Sequence, residues 1–229
     1  MDRIKAFIEL ASIFKKNGYH LYLVGGTVRD YLLNRPLDDM DATSEATPFN
    51  IISFLENVDT TFARLGSLKY KDPNGIKFDI TTLRKESAYL DSRHPSQISF
   101  VKDIREDYLR RDFTINALYM DDSLKVIDYV NGINDLKNHT LRMIGDPFIR
   151  LKEDPLRIIR AIRFALSFNL KIEDNLFKAM KENFALLNNL TPAKIKSELN
   201  KIKEEEIDKE YQEELLKHFD IAPLLTMIK

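Results

Sequence analysis

The stretch His20-Leu-Tyr-Leu-Val-Gly25-Gly26-Thr-Val-Arg29-Asp30, followed by Asp39-Met40-Asp41, decides the fold of this chain. An apolar run typical of a buried strand ends at two adjacent glycines, and a short helical segment follows. Glycine has no Cβ, so its backbone can approach a phosphate closely, and the amides of the next helical turn then face the anion. We therefore expect Gly25 and Gly26 to bind nucleotide phosphates, with Arg29 adding a fork of donors.

Two carboxylates follow the glycines. Residues two apart on a strand face the same side, so Asp39 and Asp41 are expected to point at one place. Mg²⁺ commonly takes one or two protein carboxylates and completes its shell with water and phosphates. Singly, each motif is usually a turn or a solvated strand end, but their order and spacing together favour a catalytic magnesium site. Asp79 is a candidate third ligand, and the alternative is a surface carboxylate paired with a lysine.

Composition limits the class of protein. The chain has 229 residues, 44% apolar and 31% charged, which is typical of one large or two small globular domains. Its net charge of −1 implies that any nucleic-acid surface is a local patch. The absence of cysteine excludes disulfides and thiolate zinc sites and fits a cytoplasmic protein. No run approaches the roughly 18 apolar residues of a membrane span, and no DNA-binding motif is present.

The order of patterns predicts an α/β part followed by a helical part. Amphipathic helices are expected at 2–16 and from Thr47-Pro48, and strands at 60–70 and 76–83 flank the hairpin turn Asp72-Pro73-Asn74-Gly75. We expect a mixed sheet with flanking helices over residues 1–145. Glycine is absent after Gly145, and helical patterns predict an all-helical domain over residues 146–229. They cover 151–168, 173–187, 191–202 and 208–229.

Two polar segments lie between these parts. Residues 86–95 are predicted to form a loop, either a mobile lid or an exposed connection. Residues 109–118 are predicted to begin a helix, with Arg110, Arg111 and Asp112 at its mouth. There the guanidinium groups would hold a triphosphate and the aspartate would accept from a ribose hydroxyl. The alternative for Asp112 is a helix cap.

The first helix of the C-terminal part carries Glu153-Asp154-Pro155-Leu156-Arg157, then Arg160 and Arg163. Cytosine and adenine both present an amino donor beside a ring-nitrogen acceptor, whereas uracil and guanine present the reverse. An aspartate acceptor beside an arginine donor would therefore accept C and A without a template. Alternatively, Asp154 is an N-cap before a first-turn proline, and the arginines form a solvated or ion-paired face.

Together these motifs resemble the class II branch of the polymerase-β-type nucleotidyltransferases, the bacterial tRNA CCA-adding enzymes and their poly(A) polymerase relatives. The resemblance covers nearly the whole chain. It rests on the following segments: Leu-Val-Gly25-Gly26-Thr-Val-Arg29-Asp30, Asp39-Met-Asp41, Asp79-Ile-Thr-Thr-Leu-Arg84, Tyr89-x-Asp91-x-Arg93-His94-Pro95, Arg110-Arg111-Asp112-Phe113-Thr114, Glu153-Asp154-x-x-Arg157 and a degraded motif near 191–199.

The resemblance implies a polymerase-β-like α/β head followed by a helical neck, and Mg²⁺ held by Asp39 and Asp41. It also implies that the following residues bind the nucleotide: Gly25, Gly26, Arg29, Arg111, Asp112, Asp154, Arg157, Arg160 and Arg163. The segment 85–95 resembles the element needed to change from C to A addition. CTP, ATP and the tRNA 3′ end are the expected partners. Binding to a membrane or to DNA is not expected.

Relatives continue into body and tail domains that grip tRNA, and these are absent from the sequence. Three explanations stay open: a truncated gene, a minimal enzyme, or a subunit whose partner chain or second copy replaces them. Two alternative functions also stay open. One is a poly(A) polymerase of the same family, and the other is a non-catalytic module that binds RNA or nucleotides.

Overall fold

The computed structural model describes residues 2–38, 40–89, 95–202 and 208–219. The chain forms two compact units whose segments interleave along the sequence. The first unit comprises Met1–Ser87, Gln97–Arg111 and Ile115–Ile133, and the second comprises Ala88–Ser96, Asp112–Thr114 and Asn134–Lys229. The boundary near residue 145 stays a prediction.

A seven-stranded mixed sheet organises the first unit. The strands that precede residue 128 are β1 (Tyr22–Val24), β2 (Met40–Ser44), β3 (Val58–Asp59), β4 (Ser67–Lys71), β5 (Lys77–Thr82), β6 (Arg84–Tyr89), β7 (Pro95–Phe100), β8 (Tyr119–Met120) and β9 (Val126–Ile127). The sheet has the order β3-β4-β5-β2-β1-β8-β9, and β6 with β7 forms a separate two-stranded sheet. Strand β2 runs parallel to β5, and the other neighbours are antiparallel. The predicted mixed sheet is confirmed.

Helices flank this sheet, as the sequence predicts. Those that begin before residue 140 are α1 (Arg3–Lys16), α2 (Gly26–Leu32), α3 (Pro48–Phe54), α4 (Ile104–Asp107) and α5 (Gly132–Lys137). Helix α1 begins where the Asp2 carboxylate accepts from the Ile4 N–H, and it buries Phe7, Leu10 and Phe14. Thr47 caps α3 ahead of a first-turn proline.

The predicted hairpin forms, but its first strand is shorter than expected. Strands β4 and β5 pair in antiparallel register, with Tyr70 opposite Phe78. The chain before β4 makes a 3₁₀ turn, Ala63–Leu65, which ends at Gly66 with φ +81°. Left-handed backbone is readily adopted by glycine and interrupts the extended conformation that was predicted from residue 60.

The second unit is mainly helical. Its remaining elements are β10 (Thr140–Leu141), α6 (Pro147–Glu153), α7 (Leu156–Phe168), β11 (Lys171–Ile172), α8 (Asp174–Asn183), α9 (Pro192–Leu199) and α10 (Lys209–His218). Apart from the short β11, the predicted helical character of the C-terminal part is confirmed for the described residues, and residues 203–207 and 220–229 lie outside them. The helix predicted over 151–168 is two helices, because Asp154 is extended and Pro155 lacks an N–H. No helix among the described residues is long and apolar enough to cross a membrane.

Two predicted segments are wrong in detail. Residues 109–118 form no α-helix but two 3₁₀ turns, Tyr108–Arg110 and Thr114–Asn116. The backbone between the turns pairs instead with residues 142–144, where the Thr114 N–H donates to the Arg142 carbonyl at 3.0 Å. Residues 86–89 and Pro95 of the predicted loop lie in the strands β6 and β7. Residues 90–94 lie outside the described residues.

Gly66 offers a test of how tightly the 3₁₀ turn is packed. A Cβ at this position would lie 2.6 Å from Cε1 of Phe100, whereas one at Gly18, which has the same φ of +81°, would meet nothing within 4 Å. We expect Gly18→Ala to cost about 1 kcal/mol of unfolding free energy and Gly66→Ala about 2–4 kcal/mol. Urea denaturation measures both, and equal losses would contradict tight packing of the turn.

Candidate active site

A cavity of about 390 Å³ opens in the first unit where β1 ends and α2 begins. This volume lies within the range of small-molecule sites. Its lining combines a glycine beside a carboxylate, three arginines and an apolar rim. The residues of these three parts are Gly25 with Asp41, then Arg84, Arg110 and Arg111, then Phe62 and Leu65. Cationic walls with one acidic position suit a polyphosphate that arrives with a metal ion.

The glycine turn brings the first predicted group of residues together. Gly25 has φ +65°, and α2 starts at Gly26. A Cβ at Gly26 would lie 3.9 Å from Oδ2 of Asp41 and 3.5 Å from Nη2 of Arg29. The Asp41 N–H donates to Oγ1 of Thr27 at 2.8 Å, which attaches the start of β2 to α2. The Asp41 carboxylate therefore lies beside the turn, as the spacing predicts.

Asp41 and Asp79 are direct partners in the parallel pairing of β2 with β5. Paired residues of parallel strands share a face, so both carboxylates are on the same side of the sheet. Asp79 is half exposed, and its Oδ1 lies 3.3 Å from Nζ of Lys69. Asp39 lies outside the described residues, and among those described no group of three acids or histidines could hold a metal. The carboxylate oxygens of Asp41 and Asp79 are nevertheless hard donors, which suit Mg²⁺.

The guanidinium group of Arg29 makes hydrogen bonds within the protein. Its side chain is buried and donates to Asp30 from Nε at 2.9 Å and from Nη2 at 3.0 Å. Its Nη1 donates to Oδ1 of Asn116 at 2.6 Å. The other amide atom, Nδ2 of Asn116, is buried and has no hydrogen-bond partner among the described residues. Because buried donors are normally satisfied, this nitrogen suits an oxygen acceptor supplied by a ligand.

One buried carboxylate, Asp107, organises the arginines of the cavity. Its Oδ1 accepts from Nε of Arg110 at 2.9 Å and from the Arg84 N–H at 3.0 Å. Its Oδ2 accepts from Nη2 of Arg111 at 2.9 Å and from the Tyr119 hydroxyl at 2.7 Å. Arg111 also lies next to the glycine turn, since a Cβ at Gly25 would be 3.7 Å from its Nη1. A single acid thus orients two cavity arginines and the backbone of the third.

These contacts keep Asp107 ionised. Burial alone would raise the pKa of Asp107, but the guanidinium groups of Arg111 and Arg110 and the hydrogen bonds that it accepts outweigh burial and hold this pKa well below its usual range. Burial raises the pKa of Tyr119, so its hydroxyl remains a donor to Asp107. The cluster therefore stays charged at neutral pH.

The second unit brings together another group of predicted residues. The Asp112 carboxylate accepts from Arg160 through Nε at 2.7 Å and through Nη2. Glu198 on α9 lies 3.8 Å from Nη1 of Arg160 and 3.1 Å from Nε of Arg163. Burial would raise the pKa of Asp112, but the positive charge of Arg160 outweighs it and lowers this pKa. Asp112 is therefore part of an ion-pair network, and not a helix cap.

Helices α6 and α7 meet at the predicted base-reading residues. Nη1 of Arg157 donates to Oε2 of Glu153 at 3.1 Å and to the Arg150 carbonyl at 2.7 Å. Glu153 also accepts from Nη1 of Arg150 at 2.7 Å. Oδ1 of Asp154 accepts from the Leu156 N–H at 3.1 Å, which resembles the capping alternative. Arg157 is thus held in place from the preceding helix.

Sequence reasoning missed three residues that the structure places in or beside the cavity: Arg84, Asp107 and Asn116. Asp107 stands four residues before Arg111, which is a recognisable spacing for an acid that pairs with a base within one helical turn. The pairing of Asn116 with Arg29 spans 87 positions, and no local signal could have revealed it.

A mixed sheet that carries a glycine turn, a strand carboxylate and clustered arginines defines a nucleotidyltransferase head domain. The family model of the poly(A) polymerase head domain matches residues 21–142. The chain therefore belongs to this family, and the resemblance indicated by the motifs is confirmed.

Individual relatives and solved structures that are similar to this chain are CCA-adding enzymes. A CCA-adding enzyme of Staphylococcus haemolyticus is 41% identical over 188 residues, which are 82% of this chain and 47% of the relative. The Bacillus stearothermophilus CCA-adding enzyme in complex with CTP superposes with a TM-score of 0.79 at 28% identity, covering 88% of this chain and 49% of that one. A CCA-adding enzyme in complex with ATP gives 0.76 at 26% identity, covering 98% and 52%. The chain spans about half the length of the curated relatives it matches.

The Asp107 cluster predicts a pH dependence of stability. A carboxylate whose pKa is lowered on folding stabilises the native state above its unfolded pKa of about 3.9, and this stabilisation is lost as the pH falls below that value. Asp107→Asn should lower the unfolding free energy at pH 7 by about 3–5 kcal/mol, because the largely buried Arg110 and Arg111 each lose a charged partner. Urea denaturation between pH 7 and 3 should also show a shallower loss for the variant than for the wild type. Asp122→Asn, at an exposed position, should retain the wild-type slope, and an identical slope for Asp107→Asn would contradict its role.

Proposed function

We propose that this chain is the catalytic head and neck of a template-independent tRNA nucleotidyltransferase that adds C, C and A from CTP and ATP. The observation that carries the proposal is the cavity in which Asp41 lies beside the Gly25-Gly26 turn, surrounded by three arginines. The naming of its relatives as CCA-adding enzymes, and the CTP and ATP complexes among its structural neighbours, support the choice of substrates. We also propose a cytoplasmic location, which these substrates support.

The cavity residues divide the chemistry between them. Arg110 and Arg111 bind the triphosphate, with Asp107 as their positioning residue. Asp39 and Asp41 hold Mg²⁺, with Asp79 as a candidate third ligand, and the metal when bound would stabilise charge on the reacting phosphate. The oxygen of the RNA 3′-hydroxyl attacks the α-phosphorus while its proton passes to solvent water. The bond between the α-phosphorus and the oxygen that bridges to the β-phosphorus breaks, and pyrophosphate leaves. Arg29, bound to Asp30 and Asn116, supports the glycine turn, and its role in nucleotide binding stays a prediction.

Base selection belongs to the second unit. Asp154 supplies an acceptor and Arg157 a donor, which match the pairing edges of cytosine and adenine. Glu153 and the Arg150 carbonyl keep Arg157 from rotating. Asp112, Arg160 and Arg163 form an ion-pair network with Glu198 in this unit, and we propose that they also bind the nucleotide. Whether the active species is a homo-oligomer or contains a partner chain is tested by its molar mass.

The proposal is tested with a tRNA lacking its CCA end, incubated with Mg²⁺ and with CTP and ATP singly and together. Products should lengthen by two residues with CTP alone and by three with both nucleotides, as read on a sequencing gel. A long tail with ATP alone would indicate a poly(A) polymerase, and binding without extension would indicate a non-catalytic module.

Asp41→Asn should reduce incorporation by about 10³-fold, because the metal loses a charged ligand worth several kcal/mol in the transition state. Thermal unfolding should stay close to the wild type, since Asp41 lies at the cavity. In the same assay, Asp79→Asn should reduce incorporation if Asp79 is a metal ligand. It should leave incorporation unchanged if Asp79 is only a surface partner of Lys69. Normal turnover of Asp41→Asn would remove this residue from the metal site.

Arg157→Ala should weaken base choice more than it slows transfer. Loss of a charged hydrogen bond corresponds to about 10-fold or more in discrimination. The measurement is kcat/KM for CTP relative to UTP, with Lys152→Ala at an exposed position of α6 as the control. An unchanged ratio for Arg157→Ala would count against a role in reading the base.

A further inference from the structure

Two large apolar side chains stand in solvent at the mouth of the cavity. Phe62 is 51% exposed and Leu65 is 50% exposed, and both line the cavity that contains Asp41. Phe62 directly precedes the 3₁₀ turn Ala63–Leu65, Leu65 is its last residue, and the turn precedes β4 in the chain. Paired apolar groups exposed beside a polar site commonly mark a binding surface.

The backbone that carries these side chains is firmly anchored. The Ser67 N–H donates to the Phe62 carbonyl at 3.2 Å, and the Thr82 N–H donates to the Gly66 carbonyl at 2.7 Å. Nη1 of Arg84, itself a cavity residue, donates to the Leu65 carbonyl. Gly66 packs against the ring of Phe100. The exposure of Phe62 and Leu65 is therefore a fixed feature of the turn and does not reflect loose packing.

We propose that Phe62 and Leu65 form a platform for the 3′-terminal nucleoside of the RNA that is extended, with the base stacked on the Phe62 ring. The proposal rests on the proposed function. The cavity that both side chains line also contains Asp41, and under the proposed function the 3′-hydroxyl of the RNA reacts beside this carboxylate. The base of the incoming nucleotide is read by Asp154 and Arg157, so the apolar rim is available to the terminal base of the RNA.

Stacking also suits what a template-independent enzyme requires of this position. The terminal base of the RNA changes with every addition, so a surface that made base-specific hydrogen bonds would reject some of the intermediates. Every base has a π-face, and stacking on an aromatic ring tolerates any of them. An aromatic and an aliphatic side chain without hydrogen-bonding groups meet this requirement.

The test compares RNA affinity with nucleotide affinity in variants of the full chain. Phe62→Ala should raise the Kd for a tRNA lacking its CCA end by about 5- to 150-fold, the range for loss of one stacked base, as measured by fluorescence anisotropy. The Kd for CTP, measured by equilibrium dialysis, should stay within twofold. Phe62→Tyr keeps the ring and should restore RNA affinity. Phe49→Ala, which removes an 83% exposed phenylalanine on α3 away from the cavity, should match the wild type in both measurements.

Each outcome of this test either supports or contradicts the proposed platform. RNA affinity within twofold of the wild type for Phe62→Ala overturns the platform, and so does a weaker Kd for CTP with unchanged RNA binding. An equal loss for Phe49→Ala would show that any exposed ring contributes, which also overturns it. If the wild type binds RNA in a Phe62-dependent manner but never extends it, the proposed function fails while the platform stands. If the wild type extends RNA and Phe62→Ala binds it normally, the platform alone fails.

Discussion

The buried carboxylate of Asp107 is the constraint on which the cavity depends. Three arginines within one small cavity repel each other, and two of them are largely buried. Asp107 compensates this repulsion with hydrogen bonds to Arg110, Arg111 and the Arg84 backbone, while Tyr119 occupies a further acceptor position. The acid has no accessible surface, so its role is to position cations for a substrate that it never touches. The cationic wall is thus preformed before any phosphate arrives.

The parallel pairing of β2 with β5 complements this wall with acids. In a mixed sheet, one parallel pair is enough to bring carboxylates from distant parts of the chain side by side, and here Asp41 and Asp79 are in exact register. The glycine turn approaches Asp41 from the neighbouring strand β1. Opposite charges therefore line one cavity within the first unit: the Asp41 carboxylate from β2, and the guanidinium groups of Arg110 and Arg111 that Asp107 holds.

A feature could be predicted from the sequence when the residues that determine it are close together along the chain. The hairpin at Asn74-Gly75 and the cap at Asp2 are local, and both were predicted from neighbouring residues. The pairs Asp112 with Arg160 and Arg29 with Asn116 join residues 48 and 87 positions apart, so only tertiary packing creates them. The helix predicted at 109–118 was wrong for the same reason, since its backbone pairs with residues 142–144. Asp39 lies outside the described residues, and its role stays a prediction.

The short parallel pair β10–β11 has a consequence for how nucleotide preference can diverge among related chains. The Lys171 N–H donates to the His139 carbonyl at 2.7 Å and the Glu173 N–H to the Leu141 carbonyl at 3.1 Å, closing the segment that contains α6 and α7 into a loop. A shift or a lengthening of α6 or α7 would break these two hydrogen bonds. Under the proposed function, a new base preference therefore arises by exchange of the side chains at Asp154 and Arg157, while the backbone that carries them stays in place.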